Sequence, residues 1–246
     1  MGVKIDKTSM LYWYPKIKDL EIPQPKTIIY ELTKGELLDL YNENVPKKLI
    51  EKIKPLISEL EYPIFARTDY ASGKHGWNET CFIKWEDDLS HNIYHIITMN
   101  LCANILGLPF EALIFREYIS LVAGFKAFYG NMPVAKERRY FINNGKIQCH
   151  HPYWPKDAIE SPDHENWIRI LDEQNSESKV EIELLSNYAL MVSEVLEGYW
   201  SVDFAFGQNR KWYLIDMAEG QKSFHWLECE HCPEIMKIQY GGKKVE

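Results

Sequence analysis

Near the C-terminus two carboxylates flank a tight reversal of the chain, and that pairing constrains the fold more than any other feature of the 246 residues. Arms 200–206 and 211–219 are rich in aromatic and β-branched residues, with Gly207-Gln208-Asn209-Arg210 between them, so the segment reads as a β-hairpin. If Gln208 and Asn209 form a two-residue loop, Asp203 faces Leu214. Asp216 then lies diagonally beside Asp203 on the same face, with Cα atoms about 7–8 Å apart. Carboxylates at that separation repel unless a proton or a cation sits between them. Mg²⁺, a hard cation with oxygen ligands, resolves the repulsion and can grip nucleotide phosphates at the same time. The competing reading is a pair of solvated acids on an exposed strand.

The remaining chain narrows the choice. Lys and Arg number 28 against 36 Asp and Glu, a net charge of −8, which argues against broad binding of nucleic acid or anionic membranes. The length suits one large domain or two small lobes. The first seven residues lack the apolar core of a signal peptide, and no apolar run approaches a membrane span. Five scattered cysteines fit a reducing compartment, so a cytoplasmic, non-membrane protein is expected.

Along the chain, residues 1–26 read as irregular because of their prolines. A strand is expected at 27–32, then one or two helices over 34–59 broken near Pro46 and Pro55. A strand at 62–68 leads into the small-residue loop Asp69–Trp77, with a return strand at 81–85. Ser90 can cap a helix to about Leu106, stopped by Gly107 and Pro109. A strand at 112–122 carries the charged pair Arg116-Glu117. Strands 134–142 and 146–150 meet at Asn144-Gly145, a strong hairpin turn signal. An amphipathic helix spans 178–197, stopped by Gly198. Helices mixed with hairpin-connected strands indicate an α+β fold.

Several constellations can carry chemistry. Ser72-Gly73-Lys74-His75-Gly76 can turn backbone N–H groups toward an anion, with Lys74 adding charge and Arg67 close by on the preceding strand. It is not a P-loop, because the spacing fails. Glu137 and Arg139 share a strand face and Arg138 points the other way. Arg139 suits a phosphate, or pairs with Glu137 alone. Arg116 and Glu117 lie between apolar residues and need partners. His225, Cys229, His231 and Cys232 offer zinc-type donors, although no second Cys-x-x-Cys exists. His150, His151 and Trp154, with the 157–165 stretch, suit a substrate mouth.

The order of these pieces resembles the ATP-grasp superfamily over about residues 62–223. A basic strand and glycine loop (Arg67, Lys74) precede a hinge strand (Glu117-Tyr118-Ile119), a Glu-x-Arg strand (Glu137-Arg138-Arg139) and a Val-Asp-Phe hairpin ending in acids. The resemblance implies an ATP-grasp-like two-lobed α+β fold, with antiparallel sheets and a nucleotide cleft between the lobes. The expected organisation is a reduced N-terminal region (1–60), a small lobe (61–118) and a large lobe carrying the metal-binding hairpin (119–246). It implies ATP and Mg²⁺ as ligands. Arg67 and Lys74 would bind phosphates, the backbone of Glu117 and Ile119 adenine, and Arg139 the transferred phosphoryl group. Asp203 and Asp216 would hold metal. Many members end the hairpin with Glu-x-Asn, whereas here Ala218 occupies the Asn place. Asp216-Met217-Ala218-Glu219-Gly220-Gln221-Lys222-Ser223 is similar instead to a smaller branch ending acid-x-x-acid-Gly-Gln-x-Ser, which would make Glu219 the third metal ligand. The implied activity is carboxylate–amine (or thiol) ligation through an acyl phosphate, on a small-molecule or peptide carboxylate and an amine or thiol acceptor. The alternative is an ATP-binding assembly factor for a protein partner, since that branch includes one serving a translation-initiation complex.

Overall fold

A computed structural model of the chain describes residues 6–42, 44–104 and 110–240. The fold begins with helix α1 (Met10–Ile17), strand β1 (Thr27–Glu31), α2 (Lys34–Tyr41) and α3 (Lys47–Ile57). It continues through β2 (Ile64–Thr68), β3 (Phe82–Ile83), α4 (Leu89–Asn104) and β4 (Ala112–Glu117). Then come β5 (Ala123–Ala127), β6 (Met132–Ala135), β7 (Glu137–Asn143) and β8 (Lys146–Pro152). Helices α5 (Trp167–Asn175) and α6 (Lys179–Val195), strands β9 (Tyr199–Phe206) and β10 (Trp212–Glu219), and α7 (Glu234–Tyr240) complete it.

Two antiparallel four-stranded sheets make the two lobes, one ordered β1-β4-β2-β3 and the other β10-β9-β7-β8, with β5 and β6 as a separate hairpin. The smaller lobe buries Leu49, Ile53 and Ile57 of α3 and Ile93, Ile96 and Ile97 of α4 against Ile64, Leu113 and Phe115. The larger lobe packs Leu185, Ala189 and Val192 of α6 on Tyr140, Val202 and Phe204. The α+β, two-lobed architecture expected from the sequence is therefore present.

Several local expectations are corrected. Residues 6–26 are not irregular throughout: α1 forms around Pro15, capped by Ser9, because Met10, Trp13 and Ile17 bury one stripe against the large sheet. Within the region expected to be a reduced N-terminal part, β1 pairs with β4 of the small-lobe sheet and α1 joins the large-lobe core. Pro46 caps α3, and Pro55 lies within it without ending it. The fourth helix begins at Leu89, so Ser90 lies inside it. Its expected end at Leu106, with Gly107 and Pro109, lies outside the described residues. The long strand at 112–122 stops at Glu117, and the 134–142 strand is two, β6 and β7. The Asn144-Gly145 turn holds, with both residues at positive φ (46° and 83°).

Candidate functional site

The two acids come together more closely than the simple hairpin register allows. The turn is longer by one residue than expected: Gly207 N–H bonds the Lys211 carbonyl, and Arg210 sits at φ 63°. Leu214 therefore faces Phe204, and a bulge at Ile215 then brings Asp216 directly opposite Asp203. The expected diagonal is thus replaced by a cross-strand pair. The bulged Ile215 turns its carbonyl to accept from Arg116 Nη1, a contact from the other lobe.

Each acid is held by a guanidinium. Arg139 grips Asp203 with two parallel bonds, Nε to Oδ1 and Nη2 to Oδ2, both 2.7 Å. Arg67 Nη1 lies 2.8 Å from Asp216 Oδ1. Arg67 and Asp216 come from different sheets, so this ion pair spans the lobes. Arg139 also donates to the Phe224 carbonyl (3.2 Å) and lies over the Tyr153 ring (4.5 Å). Arg139 is thereby committed to an acid.

Arg67, Lys74, Arg116, Glu137, Asp203 and Asp216 line a cleft of about 420 Å³ between the two sheets. Phe65, Met99, Tyr118, Ile119, Leu121 and Met132 give the same cleft an apolar lining as well. Lys74 lies in a short 3-10 segment, Lys74–Glu79, behind Gly73 at φ 61°. This loop is anchored, because Thr80 Oγ1 donates to the Gly73 carbonyl (2.7 Å) and Gly130 approaches too closely for any Cβ. Lys74 Nζ meets the Tyr153 hydroxyl at 3.1 Å and sits over the Tyr153 and Trp154 rings.

The cleft's charges are strained by burial. Desolvation, then the neighbouring Arg67 charge, pull Arg116 down to about 10. Its Nη2 is buried without a hydrogen-bond partner. Desolvation raises the Glu137 carboxyl above its ordinary value, against the opposing pull of Lys74. Glu137 Oε1 accepts from Trp154 Nε1 (3.1 Å), while Oε2 has no partner. Desolvation depresses Lys74, but Tyr153 and Glu137 outweigh it and keep the ammonium charged above its usual range. Buried polar atoms of this kind are costly unless paired, so the site is incomplete as a purely structural cluster.

Of the residues expected at the hinge, Glu117 has its N–H committed to the Lys26 carbonyl (2.8 Å), and its carboxylate accepts from Lys26 N (3.3 Å). Ile119 makes no hydrogen bond with the described residues. Glu219 does not join the acids. It faces Trp200 across the ladder, whereas Asp216 and Ala218 face Asp203 and Ser201. Its Oε2 meets Lys222 Nζ (2.8 Å) and the Thr8 hydroxyl (3.4 Å). Residues three apart on a strand lie on opposite faces, which is why the acid-x-x-acid spacing separates rather than joins them. His150 and His151 are not at the mouth: His150 pairs with Glu177 (3.2 Å), and His151 is buried. Tyr153, between Lys74 and Arg139, is the residue the sequence reading missed; only its place between Pro152 and Trp154, after a strand, marked it. Among the described residues no helix is long and apolar enough to cross a membrane.

No family model matches the chain, and no curated protein matches it in sequence. Its fold is similar to that of C-terminally truncated Cdc123 from Schizosaccharomyces pombe, with a TM-score of 0.59 at 15% identity, covering 94% of this chain and 95% of that one. A second Cdc123 structure from the same organism gives 0.59 at 14% identity, covering 94% of this chain and 95% of that one. D-alanine–D-alanine ligase from Bacillus anthracis, complexed with ATP, gives 0.50 at 12% identity, covering 88% of this chain but 56% of that one. These identities carry the fold alone, and the fold is ATP-grasp-like.

Proposed function

We propose that the interlobe cleft binds ATP together with a divalent cation, Mg²⁺ by the chemistry of its donors. One observation carries the reading: Arg67, Lys74 and Arg116 line the same cleft as Asp203 and Asp216, together with apolar side chains. The orphaned Arg116 Nη2 and the crowding of Arg67 beside Arg116 fit a polyanion, and the facing carboxylates fit a hard cation. Asp203 and Asp216 would hold the cation, which would offset phosphate charge. Arg67, Arg116 and Lys74 would neutralise the phosphates, and Arg139 would orient Asp203 through its two-pronged bond. The apolar lining, with the backbone of Ile119, would take the base.

Two uses of such a complex follow. The first is a carboxylate–amine (or thiol) ligase acting through an acyl phosphate, with Lys74 and Arg139 countering charge on the transferred group. The second is a protein that holds Mg-ATP with little turnover and acts on a protein partner. The second is favoured by the third metal position: Ala218 has no donor and Glu219 is turned to Lys222. Arg139, already bonded to Asp203, also has less to offer a moving phosphoryl group.

Thermal melts with ATP, ADP and GTP, each with and without Mg²⁺, test the shared claim, since binding to the folded state raises the melting temperature. ADP release then separates the two uses. A ligase forms ADP only with its carboxylate and nucleophile present, and Asp216→Asn or Arg139→Ala abolishes it. A binding protein shows the melt shift and negligible ADP under every mixture of amino acids and peptides.

A further inference from the structure

At the β8 edge of the large sheet, on the Arg139 face and opposite α1, three potential metal ligands meet that the cleft does not use. One ligand atom each from Cys149, His225 and Cys229 lies within 4.8 Å of the other two. The sequence alone pointed to Cys229 and Cys232. The structure instead turns Cys232 Sγ toward the Pro233 carbonyl (3.8 Å) and supplies Cys149 from β8, 80 residues upstream.

We propose that Cys149, His225 and Cys229 form a zinc site that fastens the C-terminal segment to the edge of the large sheet. Two thiols and an imidazole are the donor set zinc favours over harder cations. Around a tetrahedral zinc, with bonds of about 2.0–2.3 Å, ligand atoms stand on the order of 3.5–4 Å apart. His225 Nε2 is already 3.9 Å from Cys149 Sγ, so closure needs only small side-chain rotations.

The histidine is also poorly explained by packing. Its ring is fully buried and stacked on Phe141, with centroids 3.7 Å apart. Among the described residues Nε2 meets the Tyr199 hydroxyl (3.0 Å) and Cys149, and Nδ1 has no hydrogen-bond partner. Zinc on Nε2 would replace the Tyr199 bond with a metal bond and leave Nδ1 as it is. His231, whose Nδ1 lies 3.3 Å from Gln148 Nε2 beside Cys149, is the candidate for the fourth position. On binding, the Cys149 and Cys229 thiols each release a proton and the His225 nitrogen displaces its bond to Tyr199.

The site is built on a strand edge and a loop held to it, unlike the exposed trio Glu79, His91 and His95. There His91 is already paired with Glu79 at 2.8 Å, and both are more than half exposed. The zinc site also has a structural consequence. Phe224, next to His225, presents the carbonyl that accepts from Arg139, so fixing His225 fixes one of that arginine's partners. The zinc proposal does not rest on nucleotide binding and stands or falls separately.

The test is metal content of the full chain, expressed with zinc and purified without chelator. About one zinc per chain is expected. Cys149→Ser and Cys229→Ser should each lose zinc affinity by about tenfold or more, while Cys102→Ser and His91→Ala keep it. Because a cysteine variant can misfold, Co²⁺ added to the metal-free wild type gives a second readout, a thiolate-to-cobalt charge-transfer band with tetrahedral visible transitions. Zinc near zero together with no thiolate–cobalt band overturns the proposal. So does zinc retained in Cys149→Ser, zinc lost in His91→Ala, or a Cys149–Cys229 disulfide in protein kept under reducing buffer.

Discussion

Two adjacent arginines on β7 divide the molecule's ionic interactions into two kinds. Arg138 points behind the sheet and is fully buried. Its Nε pairs with Glu181 (2.7 Å) and Glu177 (3.3 Å), and its Nη atoms donate to the carbonyls of Glu137, Gln174 and Ser176. Arg139 points into the cleft and holds Asp203, beside a lysine on an aromatic face, a second guanidinium with an orphaned nitrogen, and a protonation-prone Glu137. The cluster behind the sheet gives every guanidinium nitrogen of Arg138 a counter-charge or a carbonyl, although Nε and Glu181 Oε1 meet as an ion pair without hydrogen-bond alignment, and it ties α6 and its preceding loop to β7. The one in front is open, and its unmet hydrogen-bonding capacity is what a ligand would supply. Burial and charge alone do not distinguish structure from function here; the completeness of the partner set does.

The comparison breaks first at Arg138. Replacing it with alanine removes the buried guanidinium from Glu177 and Glu181, which keep only His150 and the part-exposed Lys136, and the expected loss is about 3 kcal/mol in denaturant unfolding. A loss below about 1 kcal/mol would mean that these contacts do not hold the rear cluster together.

Asp216→Asn should behave the opposite way. Its carboxylate is partly exposed, and Arg67 keeps its bonds to the Thr68 and Tyr70 carbonyls, so the nucleotide-free protein should change by less than about 1 kcal/mol. Mg-ATP affinity, measured by titration calorimetry, should fall on the order of ten- to hundredfold. Equal affinity for wild type and variant would remove Asp216 from the metal.

The smallest effect is at Glu137. Burial raises its folded-state pKa above the ordinary value of 4.5, so the folded protein holds that proton more tightly than the unfolded chain. Stability is therefore lost as pH rises through 4.5 toward the raised value. Glu137→Gln removes this loss. The variant should melt about 1–3 °C higher than wild type at pH near 8, with the gain vanishing at pH near 4. A gain independent of pH would show that the carboxyl is not the source.

The hairpin carrying Asp203 and Asp216 was legible because its arms alternate aromatic and β-branched residues around a Gly-Asn turn. The bulge at Ile215 was not, since it is stabilised by Arg116 reaching across from another sheet. Helix α1 was hidden by Pro15. Its stability comes from burying Met10, Trp13 and Ile17 against strands far along the chain, so tertiary packing overrides local propensity. The opposed faces of Asp216 and Glu219 were legible in principle, because the two-residue period of a strand forbids an i, i+3 pair from sharing a face. Arg138 and Arg139 were correctly split by the same period. Cys149 could not be joined to His225 and Cys229 from spacing, because only the β7–β8 pairing and the packing of His225 on Phe141 bring them together.

The central claim is that the open cluster in the cleft is completed by a magnesium-bound adenine nucleotide. Equilibrium dialysis of the purified chain against labelled ATP tests it most directly. The account predicts saturation at about one ATP per chain in Mg²⁺, displacement by ADP, and release by EDTA. No retention above a nucleotide-free control at ATP up to about millimolar concentration, in folded protein, would contradict it.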